Sequence, residues 1–263
     1  MLWLIGGFLA LWGLLAALLW AWAWGRPLLA RRRARRAMAR RLVDSLRSLY
    51  AGRHEYRVAE PARFSHLDLA WYEETSGFFE SAGFRRLGDL ENITINESPH
   101  AAGRTMLRYL SGAGGSILAC LVHIVPENPP GAHGAKLVEL TTRLADGGFL
   151  ITSTAAQAGA MSFPPALRID WQIGALPPAL LAAHRNRLEK LLADHPETPV
   201  QPVDTLSQVI EGAHRIEDLK TEHRRGLGFV LSEEEIRKTL GHALPEAEIR
   251  KLKKEIDRFR VQS

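Results

Sequence analysis

From Leu2 to Trp24 the chain carries no charged side chain, and that stretch constrains everything after it. As a helix rising about 1.5 Å per residue, those 23 residues reach roughly 35 Å, enough to cross a hydrocarbon core of about 30 Å with some tilt. Trp3 sits at one end and Trp20, Trp22 and Trp24 at the other, where interfacial aromatic belts fall. The sequence therefore predicts a single transmembrane helix within residues 1–25.

Arginines set its orientation. Arg26, Arg31, Arg32, Arg33, Arg35, Arg36, Arg40 and Arg41 follow the apolar run, and no Lys or Arg precedes it. Positive charge stays on the cytoplasmic side, so the expectation is a cell (inner) membrane protein, single-pass, with its C-terminal domain in the cytoplasm. Ala21-Trp22-Ala23 resembles a signal-peptidase site. A secretory signal, however, has a basic n-region and an apolar core of about 7–15 residues. Gly6, Ala10, Gly13, Ala17 and Ala21 make a small-residue stripe, which would let two such helices pack closely as a homodimer. Leu28 to Tyr50 has no Gly or Pro and reads as a helix. Its arginines are candidates for contact with anionic lipid headgroups.

The sequence pI of about 9.6 invites a nucleic-acid reading, which the charge distribution removes. Residues 26–53 hold ten Arg and one Asp; with that +9 taken from the chain's net +5, residues 54–263 carry −4. The basic character is a juxtamembrane property, and no nucleic-acid partner is expected. Cys120 is the sole cysteine, which rules out an internal disulfide and a cysteine-rich metal centre. Arg-, Ala- and Leu-rich composition leans bacterial.

Hydrophobic patterning predicts an α+β fold: an antiparallel β-sheet packed with helices, then a helical C-terminal tail. A first helix is expected from Ser65, with Asp68 three residues on as an approximate capping box. Arg104–Leu110 and Ser116–Val125 flank a Gly-rich loop, and Lys136–Leu144 and Phe149–Thr154 flank Asp146-Gly147-Gly148; both read as hairpins. Leu167, Ile169, Trp171 and Ile173 alternate with polar residues, as in a half-buried strand. Pro177–Asp194 reads as a helix, Asp204 caps another, Ser232 and Glu235 form a capping box, and Pro245 opens the last. Pro196, Pro199 and Pro202 suggest a boundary. The expected divisions are 1–25 anchor, 26–53 basic helix, 54–200 α+β domain and 201–263 helical region.

Catalytic signatures are sparse. Gly112-Ala113-Gly114-Gly115-Ser116 lacks the Gly-Lys-Ser/Thr ending of a phosphate loop and precedes a strand. Ten histidines include no HExxH. His123 and Glu139 lie on neighbouring predicted strands and form the one candidate catalytic pair, should register bring them together. Cys120 sits in an apolar strand interior, a poor setting for a nucleophile. No cofactor or metal is expected. The sequence points to a membrane-anchored cytoplasmic binding or interaction module. The alternatives are a membrane-tethered enzyme acting on a hydrophobic or membrane-associated substrate, and a membrane-bound assembly factor whose C-terminal helices bind a protein partner.

Overall fold

The computed structural model describes residues 28–50, 52–97, 103–125, 134–155, 161–240 and 243–260. The expected membrane span, with Gly6, Ala10, Gly13, Ala17, Ala21 and the adjoining Arg26, lies outside the described residues. Among the described residues, no helix is long and apolar enough to cross a membrane. The rest is α+β, in two compact units. One gathers His54–Ala156 with Pro165–Ile216; the other gathers the stretch ending at Arg53 with Gln157–Pro164 and Glu217–Ser263.

The first unit is built on a seven-stranded sheet in the order of the chain: β1 (Tyr56–Val58), β2 (Arg85–Asn92), β3 (Leu107–Gly112), β4 (Ile117–Ile124), β5 (Ala135–Arg143), β6 (Phe149–Ser153) and β7 (Leu167–Trp171). The purely antiparallel expectation needs correcting. Five pairings are antiparallel, but β7 runs parallel to β6, with Phe149 opposite Leu167 and Ser153 opposite Trp171. Tight turns force antiparallel pairing; residues 154–166 are no tight turn, and a connection of that length can return the chain in the same direction.

Helix α1 (Leu28–Leu49) belongs to the second unit. In the first, α2 (Leu69–Ser81) starts four residues later than the sequence suggested. A 3-10 turn takes Pro61–Phe64, and Asp68 itself is the N-cap, accepting from the Trp71 N–H at 3.0 Å. The Asp68 N–H, which a cap at Ser65 would have taken, donates instead to His123 Nδ1. A single turn, α3 (Ile93–Asn96), follows β2, and α4 (Pro177–Asp194) follows β7.

Helices α2 and α4 cover one face of the sheet. Tyr72, Phe79, Leu180, Leu181 and Leu188 pack there with Leu110, Ala119, Leu121, Leu140 and Leu150. From α4 the chain then passes round the sheet's end. Ala145 N–H donates to Pro199 O, Gln201 N–H to Arg143 O and Val203 N–H to Gly115 O, at 2.8–3.0 Å. Gly115 has φ +86°, and a Cβ there would lie 2.8 Å from Pro202 and the Asp204 carboxylate. Only glycine admits so close a strap. The strap delivers α5 (Leu206–Gly226), whose first half lies against the opposite face.

The second unit is helical. Met38, Leu42, Val43 and Leu46 of α1 are buried with Ile236 and Leu240 of α6 (Glu233–Leu240) and Ile249, Leu252 and Ile256 of α7 (Glu246–Asp257). The capping box forms as read: Glu235 N–H donates to Ser232 Oγ, and Ser232 N–H to Glu235 Oε2. Residues 201–263 are therefore not one region. The strap and the first half of α5 go with the sheet; the remainder folds with the basic helix.

Candidate functional site

Strand register decides the fate of His123 and Glu139. His123 is opposite Lys136, and Glu139 is opposite Cys120. The two are thus offset by three residues, about 10 Å along the strands. An odd offset also puts them on opposite faces, so the structure does not bring the pair together.

His123 faces α2. Its Nδ1 accepts from the Asp68 N–H at 2.9 Å, and its own N–H donates to the Tyr72 hydroxyl, which donates to Met106 O at 2.7 Å. The bond at Nδ1 assigns the proton of the neutral ring to Nε2. Burial, then the Lys136 ammonium, hold the imidazole below its usual value, against the pull of Asp68. Lys136 also bonds Asp68 Oδ2 at 2.6 Å. The arrangement pins the start of α2 to the sheet. Beside it, Arg108 is buried and bidentate to Asp89, with a third bond to Glu73 of α2. Under α4, His184 is fully buried between Thr142 (3.0 Å to Nε2) and Thr152 (2.9 Å to Nδ1). Burial, helped by Arg187, holds its pKa down at about 3. All these groups serve to fasten helix to sheet.

Glu139 looks the other way, into a cleft between the sheet and the first half of α5. Tyr109, Leu118, Cys120, Glu139, Thr141, Arg143 and Phe149 form its floor, with Val203, Gln208, Val209, Gly212, Ala213 and Ile216 above. It is a small cavity of about 40 Å³, room for a few waters. Small residues hold it open: a Cβ on Gly212 would meet only Phe149, at 3.9 Å. Tyr109, Cys120, Glu139 and Ser153 are successive partners across four strands, forming a polar row on that face. Thr141 Oγ1 donates to Glu139 Oε1 at 3.3 Å, and Arg143 reaches Glu211 of α5 at 2.7 Å. Burial pushes both the Tyr109 phenol and the Cys120 thiol well up, and Glu139 adds to the shift of the thiol. Both stay protonated at neutral pH, so neither is a nucleophile. Among the described residues no histidine lines the cleft. It can hold a small partly apolar group by packing and hydrogen bonds, and among the described residues its base is the Glu139 carboxylate.

Of the candidate lipid-contacting arginines, Arg32, Arg33, Arg36, Arg40 and Arg41 are exposed on α1, and Arg35 bonds Glu248 at 2.9 Å. Arg31 lies in α1, with its side chain outside the described set. Sequence reasoning missed the cleft. Its one local signal is Gly212 inside a long helix, at a cost of about 1 kcal/mol relative to Ala. No protein-family model matches the chain, and neither does any curated protein or solved structure.

Proposed function

We propose that the chain is a membrane-tethered, non-catalytic binding module, anchored through residues 2–24 with both folded units on the cytoplasmic side. The observation that carries the non-catalytic part is the separation of His123 from Glu139. The pair that the sequence offered for sharing a proton sits on two faces of a packed sheet, and the cleft holding Glu139 sets donors and apolar walls around that single carboxylate. The anchor rests on the uncharged stretch and the arginines behind it. The C-terminal helices are less suited to recruiting a partner, because their apolar sides are spent on α1.

The test has two arms. In a bacterial expression host, the chain should resist carbonate extraction, and alkaline phosphatase fused after Ser263 should be inactive while a fluorescent protein there is bright. The purified chain should not turn over p-nitrophenyl acetate, p-nitrophenyl phosphate or a thioester. Turnover abolished by Glu139→Gln or Cys120→Ala would overturn the non-catalytic reading, and an active phosphatase fusion would overturn the topology.

A further inference from the structure

A helix that follows a membrane span can continue as a stalk along the bilayer normal, or turn and lie along the surface. Resting on the tethered reading above, we infer that α1 lies flat on the anionic headgroup layer beside its anchor, held by its arginines without inserting an apolar face.

The apolar side of α1 is already occupied. Met38, Leu42, Val43 and Leu46 are buried against Ile236, Ile249, Leu252 and Ile256. An interfacial helix of the inserting kind needs that side for the acyl boundary. What α1 offers outward is guanidinium. At about 100° per residue, Arg33, Arg36 and Arg40 fall within roughly 60° of one another, with Arg32 and Arg41 flanking them. All five are exposed. Arg40 makes one loose contact, 3.8 Å to Asp44; Arg32, Arg33, Arg36 and Arg41 have no ion-pair partner among the described residues. The occupant matching this face is a layer of phosphate headgroups, and the apolar stretch ending at Trp24 places one next to it.

Distance separates the two orientations. As a stalk, α1 would carry Arg33 about 12 Å and Arg41 about 24 Å beyond Gly25, past a Debye length of about 8 Å. Lying flat, it keeps all five charges within that length of the surface. The sequence provides for a turn: in Gly25-Arg26-Pro27 the proline lacks an N–H and disfavours a helical residue before it.

The full chain is placed in nanodiscs of phosphatidylcholine alone, or with phosphatidylglycerol added. Phenylglyoxal modification of each arginine is followed by mass spectrometry, with free N-acetylarginine as the reagent control. Arg32, Arg33, Arg36, Arg40 and Arg41 should react about fivefold more slowly in the anionic discs, and 0.5 M NaCl should abolish the difference, because screening shortens the reach of the charges. The triple variant Arg33→Glu/Arg36→Glu/Arg40→Glu should lose the slowing at Arg32 and Arg41. Equal rates in the two lipids overturn the inference, including slowing in both, which would mean that protein covers the face. A chain that carbonate strips from membranes overturns this inference and the anchor beneath it; one that stays but shows equal rates overturns this inference alone.

Discussion

Buried ionisable side chains give the two units different responses to acid. His184 is held at about 3 by burial and Arg187, against about 6.5 when unfolded. Below pH 6.5 the unfolded chain takes up a proton that the native state refuses, so stability falls with pH, by up to about 1.4 kcal/mol per pH unit. His123, also shifted down, adds to the same window. In the helical unit, burial pushes the Glu235 carboxyl up, but the Arg224 guanidinium and the Ser162 and Ser232 N–H groups outweigh it and hold the pKa at about 2. That stability is intact above the usual carboxyl value of about 4.5 and is lost as pH falls from there towards 2. Hydrogen exchange should therefore show β5 and β6 losing protection between pH 6.5 and 5; α6 should lose a first share there as well, because burial and the Arg224 guanidinium lower the His223 imidazole of the helical unit, and a second share only below 4.5. A helical unit that shows no further loss below 4.5 would refute the assignment. These side chains are visible in the sequence, yet their burial is not. His184 reads as one polar residue on a leucine-rich helix face; only the fold supplies Thr142 and Thr152 as its partners.

At the scale of elements, two glycines test how the sheet is covered. Gly212 of α5 has space above Phe149. Gly212→Ala should stabilise the sheet-bearing unit by about 0.5–1 kcal/mol, the helix-propensity difference, while narrowing the cleft. Gly112 ends β3 with the Phe84 ring 2.5 Å from where a Cβ would lie, so Gly112→Ala should cost about 1–3 kcal/mol through overpacking. Urea midpoints moving in opposite directions would bear this out; the same direction for both would not. For β3 to β7 and for the helices from Pro177 onward, element type and approximate position were legible beforehand, because alternation, capping residues and turn glycines act locally. The start of α2 was not. Ser65 and Asp68 both offer a capping oxygen, and the choice fell to Asp68, whose N–H also bonds His123 across 55 positions. The direction of β7 was hidden in the same way, since alternation reads identically for a strand run either way.

For the whole molecule, the division of the chain departs from linear order. The units change over at Arg53/His54, at each end of Gln157–Pro164, and at Ile216/Glu217, inside α5 rather than near Pro202. Deleting α6 and α7 (residues 233–263) should therefore do more than remove an arm. Leu42, Val43 and Leu46 would be left with an uncovered apolar face, and a chain so truncated should aggregate or be degraded unless a charge is placed on that face. Limited proteolysis and gel filtration of truncated and full chains, both in nanodiscs, read this out. A truncated chain as monodisperse and protease-resistant as the full one would show that α6 and α7 are dispensable to α1.

What the residues determine unaided is whatever depends on neighbours in the chain: an uncharged run long enough for a bilayer, arginines crowded behind it, the period of each strand and helix, the caps and tight turns. What waited for the tertiary structure is every choice between equivalent surfaces: which sheet face receives His123 and which Glu139, which helices seal the apolar side of α1, where α5 leaves a gap. A side chain's period says that it has a face. Only register and the packing of distant segments say what that face meets, because those contacts are chosen by the free energy of closing the whole fold.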